Sequence, residues 1–318
     1  MDDRTNYQEL VMQYPEWDQA MSDLLEIKSP CLKPVAEAFH ANMMRTAIFA
    51  LMPADITWLR IRDMVLQSNA HFLATGEGVR RFEDVLHGDA APGEMAEFEK
   101  QARAFAAMPE AFINSFRWKL GVGIVETTAC HDATTMTSLQ ALYTSVILES
   151  WLFFEALCAD LWVAAVDNAT KAIAARVALA PRKKQEDGFP KVDEIEANFK
   201  THPGSFWREA GIVTFQKRRD IEDNLSVAFG TEIKALLQST AGGYVWALNA
   251  FRNCITHSVG KVDAAFQKQA APFPEFRDCK LKSMLKVDGA LAAKLRNAAL
   301  LSGAALLKRV DEMLVAGN

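Results

Sequence analysis

Three features of the sequence predict an all-α protein. Good helix formers (Ala, Leu, Met, Glu, Gln and Lys) are abundant. Alternating runs of Val, Ile and Thr, which would signal half-buried strands, are scarce. Apolar residues recur at helical spacing between short breaks made of Pro, Gly and Ser.

The elements follow in order. Asp18 to Ile27 reads as a short helix stopped by Lys28-Ser29-Pro30. Pro34 suits the first turn of the next helix, where Val35, Ala38, Phe39 and Met43 share a face. Pro53-Ala54-Asp55 predicts a third start, with an end near Gly76-Glu77-Gly78. A loop is expected around residues 88–93. Glu94 to Met108 then places acids early and apolar residues late, as a helix dipole favours, and Pro109 allows a fresh start.

From Gly121 to Thr135 the period is lost, which places a domain junction there. Met136 to Ala180 is the longest helical stretch. It is apolar on more than one face, as a central bundle helix would be, with one long helix or two broken near Asp167-Asn168 expected. Pro181 to Pro190 reads as a polar loop, and Val287 to Val315 as a closing helix. The expected organisation is therefore an acidic helical region over residues 1–133 and a helical domain over 134–318.

Charge agrees with that division. Residues 1–135 carry 12 Lys+Arg and 20 Asp+Glu, a net −8, and residues 136–318 carry 23 and 20, a net +3. The mildly basic second part tolerates a nucleic-acid ligand without requiring one. Five widely spaced cysteines with no CxxC pair argue against a disulfide framework or a zinc ribbon and point to a reducing cytoplasm. Six scattered histidines predict no metal site. The acidic start, MDDRTNYQEL, is no secretory signal, and charged or amide residues interrupt every apolar run of spanning length, so no membrane is expected.

The stretch richest in chemistry is Gly242 to Gly260, GGYVWALNAFRNCITHSVG. Val245, Leu248, Phe251 and Ile255 are spaced to face a core. Arg252 and His257 are five residues apart, roughly 140° around a straight helix. Two groups sharing one ligand sit better at i and i+4. Either the helix ends before His257, or the two act at a cleft shared with a second copy.

Arg252-Asn253-Cys254-Ile255-Thr256-His257 on a helix resembles the motif of the HEPN family. A long earlier helix with an internal Glu155 and a closing helix support the resemblance, which covers about Met136 to the C-terminus. It implies a HEPN-type helical bundle, here preceded by an additional helical region, and a homodimer with two motifs facing across a cleft. It also implies a metal-independent endoribonuclease of the toxin or phage-defence type that needs no cofactor. In that case His257 transfers protons, Arg252 binds the scissile phosphate, Asn253 orients one of them or bonds the phosphate, and Glu155 supports Arg252. The chemistry is apt: His titrates near neutrality, Arg stays charged and binds phosphate in bidentate fashion, and a 2′-hydroxyl nucleophile restricts cleavage to RNA. The alternative is a non-catalytic HEPN dimerisation module that binds RNA, a nucleotide or a protein partner, with Arg252 and Glu155 as a buried ion pair. An antitoxin or regulatory protein is a further expected partner.

Weaker signals complete the reading. Lys217-Arg218-Arg219 and Arg182-Lys183-Lys184 are short basic clusters able to track an RNA backbone. Phe206, Trp207 and Trp246 are either base-stacking platforms or core. Cys130-His131-Asp132 reads as a junction loop, and Gly121-Val122-Gly123 lacks the lysine of a phosphate loop.

Overall fold

The computed structural model describes residues 7–11, 15–75, 92–108, 118–168 and 202–316, together with Ile173 and Val177. The expected helix end at Gly76–Gly78, most of the 88–93 loop, the start at Pro109 and the polar loop 181–190 with its basic cluster lie outside the described residues. The fold is all-α: among the described residues there is no strand, only an isolated antiparallel bridge between Lys261 and Met284. The chain forms two compact units, Met1–Gln8 with Ala50–Leu139 and Glu9–Phe49 with Gln140–Asn318.

The helices are α1 (Tyr7–Val11), α2 (Pro15–Leu25), α3 (Lys33–Thr75), α4 (Pro92–Ala106), α5 (Gly123–His131) and α6 (Ala133–Asp167). They continue with α7 (Pro203–Glu209), α8 (Arg218–Phe229), α9 (Glu232–Ser239), α10 (Tyr244–Ser258), α11 (Ala264–Ala270) and α12 (Gly289–Ala316). α2 starts earlier than expected and ends at Leu25, shortly before Lys28-Ser29-Pro30, and Pro34 lies in the first turn of the next helix, as its chemistry predicts. Pro53 is different: it starts no helix but lies inside α3, which runs unbroken from Lys33 to Thr75. A proline there removes one backbone bond and crowds the preceding turn. Beside the proline a side chain ties the turn, as Tyr7 Oη donates to the Ala50 carbonyl at 2.7 Å and accepts from Ala54 N–H at 3.2 Å.

In the first unit, α3 meets α4 through Trp58 and Phe105, whose ring centroids lie 5.9 Å apart, and through His71 and the buried Glu94. The stretch from Gly121 is helical despite its irregular composition. A π-turn over Trp118–Val122 runs into α5, and only Asp132 interrupts the path to α6. The expected Cys130-His131-Asp132 loop is thus a helix end followed by a cap, in which Asp132 accepts from Thr135 N–H and from its hydroxyl. Three accepted bonds, from the Thr135 side chain first, hold the Asp132 carboxyl below its ordinary pKa.

The second unit is built on α6 and α12. From Tyr143 to Val166 α6 buries Val146, Ile147, Trp151, Phe154, Leu161 and Trp162, which cover more than one face. Among the described residues it is helical as far as Asp167, close to the expected break. α12 packs on α2, α9 and α10. Gly303 marks a close approach: a Cβ there would meet the Phe39 ring at 2.5 Å and Leu157 at 2.7 Å, so a hydrogen is what lets α3, α6 and α12 converge. Nearby, Asp311 accepts from the N–H groups of Lys28 (3.0 Å) and Ser29 (2.6 Å) and ties down the turn after α2. By length and composition α12 could cross a bilayer, with a mean hydropathy of 1.2 over its most apolar window. Of that window 67% is buried inside the protein, as in a core helix.

Candidate functional site

Helix α10 carries the motif. Its start is set by three residues in left-handed geometry, Ala241 (φ 48°), Gly242 (φ 62°) and Gly243 (φ 72°), which turn the chain out of α9. Only glycine takes this geometry without strain, and a Cβ at Gly243 would also press on the Gln238 carbonyl at 3.0 Å. One side of α10 faces the core, with Val245, Leu248 and Phe251 fully buried as their spacing predicts and Ile255 only half-buried.

The helix runs through His257 to Ser258, so it does not end before the histidine. Its end is fixed by Val259 in left-handed geometry, whose N–H returns to the Cys254 carbonyl, and by Gly260 N–H, which returns there at 3.1 Å. Paired bonds between Val262 and residues 282–283 then pin the chain leading into α11.

A cleft of about 1090 Å³ opens between α8, α10 and α11. Arg252, Asn253 and His257 line it, and so do Lys217, Arg218 and Arg219. Two stretches singled out separately in the sequence therefore share one surface. Trp246, Asn249, Asn253 and His257, at 3-4-4 spacing, line it from one face of α10, with Ala250 and Cys254 beside them. Asn253 and His257 stand at i and i+4, while Arg252 lies at the edge of that stripe. Arg252 Nη1 donates to Asn253 Oδ1 at 3.0 Å, and Asn253 Nδ2 donates to Asn249 Oδ1 at 3.4 Å. His257 is exposed, and Arg252 and Asn253 are half-buried.

Acids balance part of this charge. Glu222, 8% exposed in its side chain, holds Arg218 Nε at 2.9 Å and Lys234 Nζ at 3.5 Å. Arg219 pairs with Asp223 at 3.3 Å. Among the described residues Lys217 and Arg252 form no ion pair. Asp263 caps α11 by accepting from Phe266 N–H at 2.7 Å and takes the Ser258 hydroxyl on its other oxygen. Those two bonds, in that order, hold its carboxyl below the ordinary value, and the nearby His257 adds to the effect. Burial pushes the Cys254 thiol up to about 11, with help from Asp263 and Cys279, so Cys254 is no thiolate near neutrality.

Other candidates fall elsewhere. Glu155 does not meet Arg252; it accepts from the Trp151 indole at 2.8 Å, one turn away on α6. Trp207 and Trp246 are buried at 3% and 4% exposure, so neither is an open stacking platform. Among the described residues no three His, Cys, Asp or Glu side chains gather as a metal site would need. Sequence reasoning passed over Asn249, Glu222, Lys234 and Asp263. For Asn249 a signal existed, since it stands four residues before Asn253 and eight before His257.

No protein-family model matches this chain, and no curated protein or solved structure is significantly similar to it.

Proposed function

We propose that the protein is a metal-independent endoribonuclease of HEPN type that works as a homodimer. One observation carries the reading: Arg252, Asn253 and His257 line the same cleft as Lys217, Arg218 and Arg219. His257 takes the proton of the 2′-hydroxyl, O2′ attacks the adjacent phosphorus, and the bond to the 5′-oxygen breaks. The leaving oxygen takes a proton from water or from the second motif of the dimer. Arg252, free of any carboxylate among the described residues, holds the charge that develops on the phosphate. Asn253 keeps the guanidinium in place through its 3.0 Å bond. Lys217 and the neighbouring arginines follow the strand on either side.

The test is direct. Purified protein in EDTA should cut single-stranded RNA, and His257→Ala should abolish cutting while leaving the fold intact. Cleavage that needs a divalent ion, or that survives the substitution, would overturn the proposal.

A second reading, RNA or nucleotide binding without cleavage, is favoured by Glu222, Asp223 and Asp263, which lower the net positive charge of the cleft. Binding without any cutting in the same assay would select it.

A further inference from the structure

The floor of the cleft holds two hydrogen-bond donors with nothing to donate to. Asn249 Nδ2 and Trp246 Nε1 are both buried, and neither has a partner among the described residues. Both side chains line the cleft and both are 4% exposed. A buried donor without an acceptor lowers stability, and proteins retain such groups where something else gains from them.

The orientation of Asn249 follows from its neighbours. Arg252 can only donate, so the atom of Asn253 beside it must be the oxygen. Asn253 then turns its amide nitrogen toward Asn249, and that contact must be the oxygen of Asn249. What remains is the Asn249 Nδ2 donor. A chain of donors thus runs from Arg252 through Asn253 to a buried N–H group with an empty end.

We infer that Asn249, with Trp246 beside it, forms a base-reading subsite that takes a ring carbonyl oxygen of a nucleobase. This rests on the RNA reading of the cleft. A phosphate is the poorer occupant here: Arg218, which lies over the Trp246 ring at 4.8 Å, is already paired with Glu222 at 2.9 Å, and a charged oxygen beside Trp246 and Ala250 is costly to desolvate. A neutral carbonyl is cheaper, and the exposed Lys217 and Arg219 remain for phosphates. Adenine is disfavoured for a specific reason. Asparagine reads adenine with its oxygen and its nitrogen together. In Asn249 the oxygen is already engaged by Asn253, so only a lone acceptor is served. Uracil, cytosine and guanine present one as a carbonyl oxygen that projects from the ring; the acceptors of adenine are ring nitrogens, and N1 and N7 stand beside its own amino donors, which would face the Trp246 N–H.

The test uses the full chain carrying His257→Ala, so that RNA is not consumed, with short labelled oligouridylate and oligoadenylate as probes and affinity read by fluorescence anisotropy. Oligouridylate should bind about tenfold more tightly. Asn249→Ala should bring the two affinities to within about twofold of each other. Asn249→Asp, nearly the same shape but with the donor exchanged for an acceptor, should erase the preference or turn it toward oligoadenylate. Lys217→Ala should weaken both probes equally and leave their ratio unchanged. Equal affinities in the starting protein, or a preference that survives both Asn249 substitutions, overturn the subsite while the RNA reading stands. No binding of either probe at low salt overturns both. If Asn249→Ala proves unfolded by circular dichroism, the Asn249→Asp variant and the preference of the starting protein decide the matter.

Discussion

The Tyr7 hydroxyl bridges two backbone groups of one turn of α3: it receives the Ala54 N–H at 3.2 Å and donates to the Ala50 carbonyl at 2.7 Å. The bridge spans Pro53, which has no N–H to give to the turn before it. Tyr7 is fully buried, and burial above all raises its pKa, so the phenol stays a neutral donor. Tyr7→Phe removes both of these bonds from a buried turn and should cost about 1–3 kcal/mol. Urea unfolding checks it: an unchanged midpoint would mean that the helix closes its own ladder.

Gly303 is the next test of packing. With Phe39 at 2.5 Å and Leu157 at 2.7 Å from any added Cβ, Gly303→Ala must push helices apart. The alanine gains helix propensity of about 1 kcal/mol, yet overpacking of about 1–3 kcal/mol outweighs it. The melting temperature should fall; a rise would show that the Phe39 ring moves aside freely.

Val259 predicts a gain. It is a β-branched residue at φ 51° and is 79% exposed, so it has strain and little packing to lose. Val259→Gly should stabilise the protein by about 1 kcal/mol, as read by thermal unfolding. A loss of stability would show that the valine side chain contributes contacts that outweigh its strain.

Asp311 sets an acid limit. Burial raises its pKa, but the Lys28 and Ser29 donors outweigh burial and the net shift is downward. A carboxyl lower in the folded than in the unfolded state adds stability above the unfolded value of about 3.9, and that addition disappears as pH falls through the folded value. Asp311→Asn should lower the urea midpoint at neutral pH. The difference from the natural protein should shrink on acidification below about pH 4. A constant difference across pH would rule out this linkage.

If RNA lies along α8, the salt dependence of its binding counts the contacts. Replacing Lys217 and Arg219 with Ala should reduce the slope of log affinity against log salt by about 1.4, taking about 0.7 for each single-strand phosphate. An unchanged slope would place the strand elsewhere.

Much of the second unit was legible from periodicity. Val245, Leu248 and Phe251 declared the buried face of α10, and the length of α6 declared its central place. Pro53 was misleading because the turn around it is tied by Tyr7, some forty-six residues earlier, which no local pattern encodes. Gly121 to Thr135 looked irregular because threonine and glycine hide a helix whose stability comes from packing. In the site, Arg252, Asn253 and His257 were visible as a motif. Their meeting with Lys217 and Arg219 required the fold, and so did the departure of Glu155, whose own indole neighbour is only one turn away.

The order in which the two units use the chain has a practical side. Residues 9–49 belong with 140–318, so the segment 50–139 leaves from one body and returns to it. On the ribosome, α2 must wait until α12 is made before its apolar face is covered. No single cut can release the half that carries His257. Truncation at residue 133 would strip away α2, Phe39 and the turn held by Asp311. Isolating the unit that carries His257 requires removing residues 1–8, excising the middle and rejoining Phe49 to Gln140.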